Sequence, residues 1–94
     1  MNFLKWDLGH LKAGDVLRIT LTRAANVRLM TTSNLSSYRN GRRHHYHGGL
    51  VRQSPFHLTI PSGGVWHLVV DMAGLAGTTQ ASVEVVPRPL PPAI

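Results

Sequence analysis

The sequence predicts an all-β domain: an antiparallel β-sandwich of jelly-roll-like form, or a partly open barrel, of six to seven short strands with at most one short helix near residues 33–40. Two observations predict it. Apolar and polar residues alternate over short runs, the period of a strand with one buried face. Clusters of turn-forming residues separate those runs at intervals of about ten residues, the spacing of sandwich and barrel strands.

The first clear alternation is Asp15–Thr22, with Leu17, Ile19 and Leu21 on one face and Arg18, Thr20 and Thr22 on the other. Val27 and Leu29 repeat it against Arg28 and Met30, and Thr31 continues the face. Further strands are predicted at Tyr46–Arg52, Phe56–Ile60, Val65–Asp71 and Ala81–Val86. Lys12–Asp15, Ala24–Asn26, Pro61–Gly64 and Ala73–Thr78 supply the turns. The core then comprises Leu17, Ile19, Leu21, Val27, Leu29, Trp66, Leu68, Val70, Val83 and Val85, with Trp6 in the core or at its edge. Ser33–Gly41 departs from this rhythm. It reads either as one or two helical turns, capped by Ser33 or Asn34 and stopped by Gly41, or as an irregular loop. Residues 1–86 form a single β domain, and the Pro-rich stretch 87–94 is a polyproline-like tail that cannot pair within a sheet.

Ninety-four residues support one core. An apolar fraction of 43% with only 15% charged residues excludes disorder as the ground state. No cysteine is present, which excludes disulfides and thiolate metal sites. The first residues show no secretory signal, and the longest apolar run, Leu68-Val69-Val70, is far too short to span a bilayer. A cytoplasmic, soluble protein without a membrane partner is expected. The net charge is +6, with eight arginines to two lysines. That balance favours forked contacts to an anionic partner over a diffuse cationic cloud.

The chemistry concentrates in one place. Between Tyr38 and His47 lie five imidazole or phenol rings and three of the ten basic residues. Tyr38, Arg39, Arg42, Arg43, His44, His45, Tyr46 and His47, with Arg52 beyond them, combine N–H donors, positive charge and flat rings. This mixture points to a site for an anionic small molecule, a nucleotide or a nucleic acid. The alternative is a structural or protein-interaction domain that dimerises through its sheet, in which Arg42 and Arg43 bond loop carbonyls and pack flat on Tyr38 or Tyr46. His45 and His47 would share a strand face and suggest a metal. The carboxylate a cupin carries is missing from Leu50–Gln53, and the nearby arginines repel a cation, so no metal or other cofactor is expected. No nucleophile elbow, P-loop or dinucleotide fingerprint occurs, and Asp7, Asp15, Asp71 and Glu84 are scattered. A carboxylate orienting a histidine, Asp7 or Asp71 with His10 or His67, is the one catalytic pattern open. A non-enzymatic module with no catalytic residues is the expectation.

Phe3-Leu4-x-Trp6-Asp7-Leu8-Gly9-His10-Leu11, Gly14-Asp15-Val16, Ala25–Met30 and Ser33-Asn34 together resemble the bacterial family of unknown function DUF1883. So do Tyr38-Arg39-x-Gly41-Arg42-Arg43-His44, Tyr46, Gly48-Gly49 and Gly64-x-Trp66-His67-x-Val69-Val70-Asp71. The resemblance covers roughly residues 1–86. It implies an all-β fold and a context, since members occur alone or joined to a TIR signalling domain, which makes a TIR-type partner an expectation. It implies no mechanism. A weaker similarity to jelly-roll-like pre-peptidase domains also implies a sandwich.

Overall fold

The first strand, β1 (Phe3–Leu11), is one the alternation does not reveal. Its pairing partner shifts register between Asp7 and Gly9, so Leu8 is an inserted bulge residue and the period of two breaks mid-strand. The other strands follow the predicted pattern closely: β2 (Val16–Leu21), β3 (Ala25–Thr31), β4 (His47–Val51), β5 (Phe56–Thr59), β6 (Gly64–Asp71) and β7 (Ala81–Val86), with one helix, α1 (Thr32–Arg39), between β3 and β4. This computed structural model describes residues 3–86, and the predicted polyproline-like tail lies outside them.

Among the described residues, the strands form two antiparallel sheets ordered β1-β6-β3-β4 and β5-β2-β7. Most successive strands cross from one sheet to the other, so the chain stitches a sandwich. Leu17, Ile19 and Leu21 of β2 meet Val27, Leu29, Trp66, Leu68 and Val70 of the larger sheet, and Val51 and Ile60 close the ends. The predicted core is correct for eight of its ten members. Val83 is only half-buried and Val85 is 44% exposed. Both point to the same side as their register partners Ile19 and Leu17, but β7 is the outer strand of the three-stranded sheet. Its inward side chains stand at the rim, where the facing sheet does not cover them.

The β3–α1–β4 connection stays within one sheet, and α1 lies on that sheet's outer face. Leu35 and Tyr38 pack there against Met30, Val69 and Phe3. This accounts for the unbroken apolar run in β6. Trp66, Leu68 and Val70 enter the sandwich, while Val69 and Asp71 are buried beneath the helix layer. The helix starts two to three residues before the predicted caps, with Thr31 as N-cap. Thr31 Oγ1 accepts a bond from Asn34 Nδ2 (3.0 Å) rather than capping the backbone. Its end is as predicted. Gly41, at φ +67°, lets the Arg42 amide reach the Ser37 carbonyl (2.8 Å) and its own amide reach that of Tyr38 (3.2 Å), the Schellman pattern.

Gly48, at φ +125°, lies so close to β3 that a Cβ atom would overlap the Val27 carbonyl oxygen. Gly48→Ala is therefore expected to destabilise the fold by about 1–3 kcal/mol through overlap and backbone strain. A lowered urea midpoint with an unchanged m value would show it. An unchanged midpoint would mean that β4 can move away from β3 at no cost.

Candidate functional site

Alternation places Asn26, Arg28 and Met30 of β3, His67, Val69 and Asp71 of β6, and Phe3, Lys5 and Asp7 of β1 on the outer face of the four-stranded sheet. Apolar contacts fill its centre under α1. Two polar networks flank them.

The first centres on Asp71, which is 2% exposed. Tyr38 Oη donates to Asp71 Oδ2 (2.7 Å) and Arg28 Nε donates to the same oxygen (2.9 Å). Asn26 Nδ2 and the Ala73 amide donate to Oδ1 (2.8 and 3.1 Å). Burial pushes the carboxyl pKa up, but the bonds from Tyr38, Asn26, Arg28 and Ala73 outweigh it and hold the group below the usual carboxylate range. Burial first, and then the bond to Asp71, raise the Tyr38 phenol well above its ordinary value. Aromatic rings roof this pair. The Arg28 guanidinium lies 5.7 Å from the Tyr38 ring centroid and 4.7 Å from that of Tyr46. His44 sets its edge on Tyr38 (5.1 Å) and tilts against Tyr46 (5.7 Å), while Phe3 meets Tyr38 from another side (5.3 Å).

The second network runs across β1, β6 and the first turn of α1. Lys5 Nζ donates to both Asp7 oxygens (3.0 and 2.8 Å). His67 Nδ1 donates to Asp7 Oδ1 (2.7 Å), and His67 Nε2 shares a hydrogen bond with Thr32 Oγ1 (2.8 Å). Bonds from Lys5 and then His67 hold the exposed Asp7 carboxyl below its ordinary pKa. The carboxylate–imidazole pairing open in the sequence is thus the one between Asp7 and His67. Its third member, Thr32, ties the helix start to the sheet.

The nine residues singled out from the sequence fall into three groups. Tyr38 is buried and His44 half-buried, while Tyr46 is 40% exposed; the three rings pack together, Tyr38 and Tyr46 beside Arg28. Arg39, Arg42, Arg43 and His45 are exposed at the end of α1 and on the loop that follows. Arg39 rests over the Phe3 ring (5.8 Å). His47 opens β4 and meets Trp66 edge-on (5.9 Å), and Arg52 follows β4, roughly 15–20 Å of extended strand beyond the loop. The cluster is therefore not one surface. His45 precedes β4, so it does not share a strand face with His47. Among the described residues no three His, Asp or Glu side chains gather in a way that could hold a metal ion. The arginine that packs flat on both tyrosines is Arg28, not Arg42 or Arg43. Sequence reading missed Asn26, Arg28 and Asp71 as a unit. The available signal was two polar residues on the outward face of β3 and a carboxylate ending an apolar strand.

The loop itself is held at several points. Besides the Schellman bonds, His44 Nδ1 donates to the Arg42 carbonyl (3.0 Å) and the His45 amide donates to Asn34 Oδ1 (3.0 Å). The guanidinium groups of Arg42 and Arg43 stand on this fixed backbone and form no hydrogen bond or ion pair with the described residues.

A family model described as "Domain of unknown function (DUF1883)" matches residues 1–89. No curated protein and no solved structure matches the chain.

Proposed function

The chain belongs to the DUF1883 family, whose description assigns no activity, and on that premise we propose that it is a non-enzymatic recognition module that binds an anionic ligand through Arg42, Arg43 and Arg39, with His45 beside them. One observation carries the reading. Two adjacent arginines project from a loop fixed by backbone and ring contacts, and neither has a counter-ion among the described residues. Such groups lose little conformational freedom when they bind, and their forked N–H donors fit a carboxylate or phosphate. The rings of Tyr38, His44 and Tyr46 serve the fold beneath and hold the loop in place.

Arg42→Gln combined with Arg43→Gln is expected to leave the melting temperature unchanged to within about 2 °C, because exposed residues without partners contribute little to stability. The same variant is expected to lose binding to tripolyphosphate or a short oligothymidylate, measured by calorimetry. For the oligonucleotide, the wild-type log–log salt slope should be about −2 if three arginines each neutralise one phosphate of a single strand. A fall of several degrees in melting temperature, with binding retained, would assign the pair to the fold and refute this function.

A further inference from the structure

Every open sandwich has free strand edges, and an unprotected edge is a template for another chain. Among the described residues four edges carry no further strand: β1 and β4 in one sheet, β5 and β7 in the other. Three carry devices that discourage pairing. β1 is bulged at Leu8 and bears Lys5 and Asp7; β5 is four residues long, bounded by Pro55 and Pro61; β7 carries Glu84 and leads in the sequence to Pro87. β4 has none of these. Its residues, His47-Gly48-Gly49-Leu50-Val51, include no proline and no formally charged side chain, and its register with β3 is unbroken. Gly49 has open space where a Cβ would stand, and Leu50 is 46% exposed. Beside the strand runs a groove of about 410 Å³, walled by Gly48–Gln53 and by Phe56 of the opposite sheet.

The charge around this edge selects the occupant. Arg42, Arg43 and His45 precede the strand, Arg52 follows it, and the chain carries a net charge of +6. A second copy paired edge to edge would bring two such sets together, which like-charge repulsion opposes. We propose that the β4 edge accepts an extended acidic peptide as an added strand. Its backbone pairs with Gly48–Val51, an apolar side chain enters the groove against Phe56, and flanking carboxylates meet Arg43 and Arg52. This deepens the proposed function and rests on it for the sign of the partner's charge; the edge geometry stands independently.

The test uses the full chain and three capped probes: a peptide of alternating Val and Glu, its Val–Lys counterpart, and the Val–Glu peptide N-methylated at every residue, so that neither edge can donate. Binding is followed by titration, and amide hydrogen exchange is read residue by residue. The Val–Glu peptide is expected to bind saturably and to slow exchange of β4 amides at least about tenfold. The Val–Lys and N-methylated peptides should do neither. Equal binding of the N-methylated peptide, with changes confined to Arg42 and Arg43, would overturn the edge proposal while leaving the anion site standing. Equal β4 protection by the Glu and Lys peptides would overturn the acidic assignment, while tripolyphosphate binding by the same protein would leave the anion reading standing. No binding of the Val–Glu peptide, or β4 protection that rises with protein concentration alone, would overturn the proposal, the latter in favour of self-association.

Discussion

Asp71→Ala is expected to cost about 3–5 kcal/mol of folding stability, the range for removing one partner of a buried ion pair. The carboxylate is 1% exposed in its side chain and Arg28 is 17% exposed. The variant leaves the Arg28 guanidinium under Tyr38 and Tyr46 with no anion, and three further donors, from Tyr38, Asn26 and Ala73, lose their acceptor. In a domain of this size the melting temperature should fall by at least about 12 °C. A loss below about 1 kcal/mol in urea unfolding would show that water replaces the carboxylate at little cost. The same group sets a pH dependence. Its folded pKa lies below the unfolded carboxylate value of about 3.9. The stability it contributes is therefore fully present above about pH 4 and is lost as pH falls through the depressed folded value. Asp71→Ala should flatten the stability profile in that acid window and lower it everywhere above.

Ile19→Ala is expected to cost about 2–5 kcal/mol, through lost apolar burial and the cavity left behind. Ile19 is fully buried, flanked in the sheet by Phe56 on β5 and Val83 on β7, and packed in the cluster that joins the two sheets. Arg18→Ala, one residue away on the exposed face, should change stability by no more than about 0.5 kcal/mol. The contrast tests the register itself. Similar costs at the two positions would mean that β2 does not present one face to the core.

Much of the fold was legible in the order of residues, for local reasons. A period of two is a property of a single strand, so Leu17, Ile19, Leu21, Val27 and Leu29 announce their buried face without reference to any partner. Gly41 announces a helix stop because the left-handed conformation favours glycine wherever it occurs. β1 was hidden because its bulge at Leu8 shifts the period in the middle of the strand. The candidate site was legible as composition only. Rings and arginines crowd the segment before β4, but which of them face water depends on what lies beneath.

By itself the sequence determined the faces of β2 and β3, the turns, the stop at Gly41 and the placement of a basic, ring-rich segment at the connection into β4. Only the tertiary structure decided what covers each face. It put Val85 at an uncovered rim, buried Asp71 beneath the helix layer, and brought Arg28 to a carboxylate 43 residues away. It also divided the cluster, packing Tyr38, His44 and Tyr46 against one another near Arg28 and leaving the Arg42 and Arg43 side chains without a hydrogen bond or ion pair among the described residues. The physical reason is that alternation states which side of a strand a residue occupies. Burial, ion pairing and the choice of an open edge arise from contacts between segments distant in sequence, and those exist only once the sheets have packed.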